Sequence, residues 1–328
     1  MAFLYVVIGL TLMFDFINGF HDSANSIAAV VSTKVLSPLA AVSMAAFFNF
    51  IAFTVFPLRV AHTIGGKVVD PDVINLTVIG AALVAAITWN LVTWWLGLPS
   101  SSSHTLVGGL VGAAVVSSGI GAVNSAGVII IVLFIFIAPV LGMLLSFIIS
   151  SGVMWIFRKF SPSAVDKYFR RFQLVSASAF SLGHGGNDAQ KSMGIIWAAL
   201  IVSGLATKDT KIPLWVVMSC QASIALGTLF GGWRIVKTMG QRITKLKPFE
   251  GFCAETAGSI TLFMATHFGI PVSTTHTITG AIIGVGARKG VSAVKWGVTT
   301  KIFWAWILTI PVSGVIGGIM YIFFNWIS

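Results

Sequence analysis

Charge is what this chain most conspicuously lacks. Asp, Glu, Lys and Arg together make up 9% of its 328 residues, where a soluble domain carries about 25%. From Val73 to Phe157, a run of 85 residues, none of the four occurs. A water-soluble fold of that length needs a charged surface, so an ordinary cytosolic enzyme and a disordered chain are excluded. Cysteine is scarce as well. Cys220 and Cys253 sit in apolar surroundings without metal-ligand spacing, and both read as small buried hydrophobes. No GxxxxGK[ST] phosphate loop and no HExxH pair is present, which removes ATP hydrolysis in this chain and zinc hydrolase chemistry. The formal net charge is +11, but its Lys and Arg cluster in short loops without an aromatic-basic stripe. They read as topology signals and contacts to anionic lipid rather than a nucleic-acid surface.

What is present is apolar. Hydrophobic residues reach 56% and mean hydropathy is +0.96, so most of the chain belongs in a bilayer. Lipid admits only helices or closed barrels. The long, non-alternating runs exclude a barrel, whose strands alternate over about 10 residues. The expected fold is an all-α integral membrane protein. Candidate segments are 2–32, 36–58, 73–98, 104–119, 124–157, 172–207, 212–233, 250–268, 275–287 and 300–327. Of these, 104–119 and 275–287 are short for a full crossing. The N-terminus has no basic region ahead of its apolar run and does not read as a cleavable signal. The loops 158–171, with Arg158, Lys159, Lys167, Arg170 and Arg171, and 234–249, with Arg234, Lys237, Arg242, Lys245 and Lys247, are expected in the cytoplasm. If every segment crosses, Lys34, Arg288 and Lys289 then also fall inside. Arg59 and Lys67 fall outside with Asp70 and Asp72, as do both termini.

The sequence repeats itself. Pro99-Ser100-Ser101-Ser102-Ser103-His104-Thr105-Leu106-Val107-Gly108 recurs as Pro271-Val272-Ser273-Thr274-Thr275-His276-Thr277-Ile278-Thr279-Gly280, and Gly112 recurs as Gly284. Upstream, Asn18-Gly19-Phe20-His21-Asp22-Ser23-Ala24-Asn25-Ser26 pairs with His184-Gly185-Gly186-Asn187-Asp188-Ala189-Gln190-Lys191-Ser192. Each half holds five segments, and an odd number inverts the second half. The reading is two inverted repeats, 1–157 and 172–328, joined by a cytoplasmic linker at 158–171, with broken helices and a site where the halves meet.

The repeated motifs carry polar groups that lipid does not tolerate idly. A carboxylate at bilayer depth costs roughly 3 kcal/mol on insertion scales, so Asp22 and Asp188 are candidate ion or proton sites. Asn25, Asn18 and Asn187 add carbonyl oxygens suited to a hard cation such as sodium. His21 adjoins Asp22 and can carry a proton near neutral pH. Lys191 is placed to pair with Asp188, to meet an anion, or to extend toward the interface. His104 and His276 stand at matched positions, where they orient hydroxyls or move protons. Pro99 and Pro271 end one helix or start the next. Ser101, Ser102, Ser103 and Thr105, and Ser273, Thr274, Thr275 and Thr277, then crowd two helix N-termini. Free N–H groups and hydroxyls there favour an oxyanion. Plain N-capping is the alternative, but a cap needs one residue and each cluster has three in a row. Glu255 is a further lone carboxylate whose partner the sequence does not name.

The stretches NGFHDSAN (18–25), LPSSSSHTLVGGLVG (98–112), GHGGNDAQKSMG (183–194), GFCAET (251–256) and IPVSTTHTITGAIIG (270–284) resemble the inorganic phosphate transporter family, the Pit or solute carrier 20 family. The resemblance spans the whole chain. It implies inverted repeats with re-entrant hairpins, and phosphate with its coupling ions held between hairpin tips by Asp22, Asn25, Asp188 and the two Ser/Thr clusters. A homodimer in a plasma membrane, bacterial by its compact form, is a further expectation, and no cofactor is called for. The sodium-coupled branch commonly reads Gly-Ala-Asn-Asp where this chain has Gly19-Phe20-His21-Asp22. The NGFHD form resembles low-affinity bacterial carriers, which implies proton symport of phosphate, alone or as a metal–phosphate complex. Sodium symport is the first alternative and sulfate permeation the second. An anion channel is a third, from another class, and would need a continuous polar path.

Overall fold

The computed structural model describes residues 1–64, 69, 73–207 and 209–327. Lys67, Asp70 and Asp72, which entered the orientation argument, lie outside the described residues. Among those described, the secondary structure is helical apart from one isolated bridge between Val69 and Val123. The helices are α1 (Ala2–Ser32), α2 (Pro38–Ile51), α3 (Arg59–Ile64), α4 (Leu76–Leu96), α5 (Ser102–Ser118), α6 (Ser125–Ile156), α7 (Pro162–Val202), α8 (Leu214–Phe230), α9 (Trp233–Lys237), α10 (Pro248–His267), α11 (Thr274–Lys289) and α12 (Trp296–Ile327).

Local chemistry sets where they start and stop. The side chains of Ser37, Asn75, Ser101, Asn124, Ser161 and Ser273 each accept a backbone N–H at the first turn of the helix that follows. Proline opens α2, α7 and α10. Helices α1, α4, α6 and α12 are long and apolar enough to cross a membrane. Helix α8 and the helical stretch from Trp233 to Arg242 reach that length and apolarity only as a pair, bent by 61° at Gly231–Gly232. Large apolar side chains along α6 and α12, among them Ile129, Leu133, Phe147, Trp304 and Ile319, are exposed on the bundle surface, as a lipid-facing helix requires.

The structure departs from the sequence expectation in two places. Helix α7 begins at Pro162 and takes in most of the stretch expected to be a loop at 158–171. Ser161 caps it and Pro162 opens it, so the basic residues Lys167, Arg170 and Arg171 ride on its first turns. The Gly-, Asn- and Asp-rich motifs also leave α1 and α7 unbroken. The breaks fall instead at two hairpin turns. Gly97 and Gly269 end α4 and α10 in left-handed backbone, with Pro99 and Pro271 close behind. The chain then restarts as α5 and α11, so α4–α5 and α10–α11 form matched helical hairpins.

The packing is symmetric under the repeat. Helix α5 lies on α12 just as α11 lies on α6, α4 also meets α12 as α10 meets α6, and α1 packs on α8 as α7 packs on α2. Each hairpin is thus clasped by the last helix of the opposite repeat, and the halves are interleaved rather than side by side. Two glycines permit this. A Cβ on Gly112 would strike the Gly314 backbone of α12, and one on Gly284 would strike Met143 and Ser146 of α6. Gly112→Val or Gly284→Val is therefore expected to destabilise the purified protein by about 3 kcal/mol, the upper part of the overpacking range. A lowered thermal midpoint and reduced monodisperse yield would register it. Gly152→Ala, where the same atom meets open space, is the control.

Candidate functional site

The hairpin turns come together at the centre of the bundle. His104 and His276, each one turn into its hairpin's second helix, have ring centroids 4.8 Å apart. His276 also stacks on Trp306 of α12 at 4.0 Å, and the Trp306 indole donates to the Pro99 carbonyl at 3.0 Å. The two N-termini, α5 and α11, therefore face one buried volume. The repeated motifs of α1 and α7 line it, and Asp22, Asn25, Asn187, Asp188 and Lys191 are all at most 2% exposed.

The hydroxyls divide by role. Ser101 and Ser273 cap their helices, accepting the N–H groups of His104 and His276. Thr105 donates to the Ser102 carbonyl and Thr277 to the Ser273 carbonyl. These four hydroxyls are engaged with backbone. The four between them turn to charged groups. Ser102 donates to Asp22 and Thr274 donates to Asp188, both at 3.1 Å, a matched pair across the repeat. Thr275 also reaches Asp22, at 3.4 Å. Ser103 accepts from the Lys191 ammonium, which pairs with Asp188 and donates to the Val272 carbonyl. Asn25 donates to Thr274 and Thr275. Of the roles open to Lys191, the structure places it on Asp188.

Each carboxylate also meets an imidazole, but from different sequence positions. His21 Nδ1 lies 2.6 Å from Asp22 Oδ1. His184, one turn before Asp188, brings Nε2 to 3.3 Å from Asp188 Oδ2. That contact is within ion-pair range but off the line of a hydrogen bond. The repeated motifs alone do not mark His184 as a site residue, although its i, i+4 spacing to Asp188 within one motif is a signal for it. Thr93 and Ser100 were also missed. His21 Nε2 is 3.1 Å from the Thr93 hydroxyl, to which Ser100 donates at 2.9 Å. Asn187 stands at the repeat position of His21 and donates to Thr266, at the same end of α10. His21 and Asn187 thus perform the same task, tying α1 and α7 to the ends of the first helices of the two hairpins. Glu255, whose partner the sequence left open, accepts from Ser176 at 2.6 Å and Gln173 at 3.2 Å.

The donor set fits a cation. Ligand atoms of Asp22, His184 and Asp188 lie within 4.8 Å of one another. The amide oxygens of Asn25 and Asn187 are buried without a hydrogen-bond partner. Carboxylate and amide oxygens are the ligands a hard cation takes. Beside them, two helix N-termini carrying hydroxyls offer the complementary place for an oxyanion.

A polar, charge-bearing centre enclosed by interleaved repeats and broken helices defines a multi-pass membrane carrier of the inverted-repeat class. The chain belongs to the phosphate transporter family: the profile described as "Phosphate transporter family" matches residues 18–163 and 158–317. It is 56% identical to a "Probable low-affinity inorganic phosphate transporter" of Rhizobium meliloti (strain 1021), covering 96% of this chain and 94% of that one. It is 44% identical to a protein of the same description from Bacillus subtilis (strain 168), with 98% and 97% covered. Among solved structures it is similar to one described as "The sodium-dependent phosphate transporter", with a TM-score of 0.89, 27% identity and full coverage of both chains. The family is one of carriers, and the protein is not an enzyme.

Removing one member of the Asp188–Lys191 pair strands a buried charge, which costs about 3–5 kcal/mol. Asp188→Asn is expected to lower stability by that order. The double variant Asp188→Asn, Lys191→Met is expected to recover much of it without recovering function. Thermal midpoints of the two variants, set against wild type, check this.

Proposed function

We propose that the protein imports inorganic phosphate by symport with a cation, and that sodium is the coupling ion. One observation carries the reading: Asp22 and Asp188 converge, with His184, within 4.8 Å, directly beside the hydroxyl-bearing N-termini of α5 and α11. An oxyanion placed there meets two carboxylates and a single buried lysine. Two like charges 4 Å apart repel by about 4 kcal/mol at an effective dielectric of 20. A bound cation turns that repulsion into attraction, so anion and cation enter together.

The carboxylates also favour phosphate over sulfate. Phosphate near neutral pH keeps at least one P–OH, which donates to Asp22 or Asp188. Sulfate has no proton to give and would press lone pairs against them. A site built to accept a donor rejects the analogue that lacks one. The family and the two low-affinity relatives support phosphate as cargo, and the full-length likeness to a sodium-dependent transporter supports the ion. Ser102, Ser103, Thr274 and Thr275 would replace the anion's hydration shell, while Asp22, Asn25, Asp188 and Asn187 hold sodium. The repeats 1–157 and 172–328, with their junction in 158–171, would rock about this site to expose it alternately. Concentration of polar groups at one enclosed station suits alternating access better than a channel's serial sites.

Proton coupling is the second reading. The His21–Asp22 contact at 2.6 Å, continued through Thr93 and Ser100, is a path along which a proton can move. Against it stands Asn187, which ties α7 to its hairpin as His21 ties α1 yet carries no titratable group.

Radiolabelled phosphate uptake into proteoliposomes decides between them. An inward sodium gradient at equal pH is expected to drive uptake, and excess sulfate is expected to leave it unaffected. Asp22→Asn should reduce uptake by about tenfold or more, whereas His21→Asn should retain it. Uptake driven by a proton gradient without sodium, and lost in His21→Asn, would establish the proton reading instead.

A further inference from the structure

Three basic stretches expected in the cytoplasm are remote from one another in the chain, yet they meet at one end of the bundle. Arg158 follows the last turn of α6, Lys247 precedes α10, and Arg288 stands in the last turn of α11. A cleft of about 480 Å³ opens among them, between the C-terminal ends of α6 and α11 and the N-terminal ends of α7 and α10. Arg288 spans the junction. Its guanidinium lies 5.3 Å over the Phe249 ring of α10 and touches the Met154 sulfur of α6. Phe157, which closes α6, and Phe249 both pack on Phe169 of α7, with ring centroids 5.1 and 5.2 Å away.

The cleft holds more positive charge than it pairs. Both oxygens of Glu250 are engaged: the Lys289 ammonium meets one at 2.8 Å, and the Lys247 backbone N–H donates to the other at 2.8 Å. Among the described residues, no carboxylate stands within ion-pair distance of Arg158, Lys247 or Arg288. Asp166 is the one other carboxylate that lines the cleft with them. The Arg288 Nε is buried without a hydrogen-bond partner. A cation at a helix C-terminus can serve the macrodipole alone, but Lys247 precedes its helix and lies in the same cleft.

The walls are apolar and the position is interfacial. Phe157, Phe160, Pro162 and Val165 line the cleft beside the cations. Arg158 lies 5.1 Å over the ring of Trp155, an exposed residue near the end of the membrane-length α6. Trp and Arg at the end of a span mark the depth of the headgroups. A soluble anion gains nothing from apolar walls, whereas a lipid brings acyl chains to them together with its phosphate.

We propose that this cleft binds an anionic phospholipid of the cytoplasmic leaflet, its phosphate held by Arg158, Lys247 and Arg288 and its upper acyl chains lying on Phe157 and Phe160. Guanidinium and ammonium donors to phosphate oxygens form charge-assisted hydrogen bonds, and basic pockets between spanning helices take such headgroups. A lipid so held bridges the end of α6, in the first repeat, to the α10–α11 hairpin of the second. The site stands whichever ion and anion the protein carries.

The test is the thermal midpoint of the purified full-length protein in phosphatidylcholine–detergent micelles titrated with phosphatidylglycerol, without phosphate. Phosphatidylglycerol is expected to raise the wild-type midpoint. Arg158→Gln and Arg288→Gln are each expected to raise its half-maximal concentration about fivefold, and the double variant about twentyfold. Lys237→Gln, at an exposed position of α9 outside the cleft, is expected to respond as wild type. If Arg288→Gln does not fold, Arg158→Gln, at an exposed position, carries the test. An unchanged response in Arg158→Gln would overturn the proposal. So would an equal loss in Lys237→Gln, which would reduce the effect to general surface charge. Stabilisation by inorganic phosphate or glycerol 3-phosphate that Arg158→Gln abolishes would assign the cleft to a soluble anion and overturn the lipid.

Discussion

Two carboxylates facing one another in a lipid-buried core are the constraint around which this protein is arranged. Neither can remain ionised there without compensation, and the structure supplies it piece by piece. Lys191 and His184 stand by Asp188, His21 by Asp22, and hairpin hydroxyls by both, Ser102 and Thr275 at Asp22 and Thr274 at Asp188. The compensation is incomplete by design of the chemistry: two acids share one buried lysine, and amide oxygens nearby have no donor. On the reading proposed here, that deficit of positive charge is what a bound cation would fill, and the cation would in turn let an oxyanion enter.

The hairpins serve this centre. A helix N-terminus in the middle of a membrane exposes backbone N–H groups that lipid cannot satisfy. Ser101 and Ser273 satisfy part of each one, and the following hydroxyls bring the remaining polarity to bear on the carboxylates. Both ends are pinned by groups remote in sequence, as when Trp306 of the second repeat holds the Pro99 carbonyl of the first. Because each hairpin lies against the last helix of the other repeat, any displacement of one repeat would move the hairpin hydroxyls relative to the carboxylates. The glycines at the α5–α12 and α6–α11 contacts allow backbones close enough for that coupling, and lipid supplies no hydrophobic force to replace it.

The symmetry is real in packing and imperfect in chemistry, and the imperfections are informative. His21 has Asn187 as its counterpart, Asn18 has His184, and Asp15, fully buried on α1, has Ser181. The shared tasks, anchoring the hairpins and presenting one carboxylate each, survive exchange of residue type. What is not shared, the lysine on one side and the extra buried acid on the other, gives the two faces of the centre different charge.

Much of this was legible in the sequence. A run of 85 uncharged residues leaves no fold but a membrane bundle, because water-facing surface needs charge. The recurrence of two motifs in one order identified the repeats and the residues that meet between them, because polar groups are too unfavourable in lipid to be duplicated without use. The Pro-then-Ser pattern located the new helix starts, because proline and capping hydroxyls act locally. Other features were decided only by tertiary structure. Spacing in sequence could not say that α1 and α7 would stay helical through their glycines, since that depends on α8 and α2 packing against them. It could not divide the Ser/Thr clusters into caps and carboxylate partners, which turns on side-chain direction at the helix start. Nor could it bring Asp22 to His184 and Asp188, because that meeting exists only where α1 and α7, helices of opposite repeats, cross.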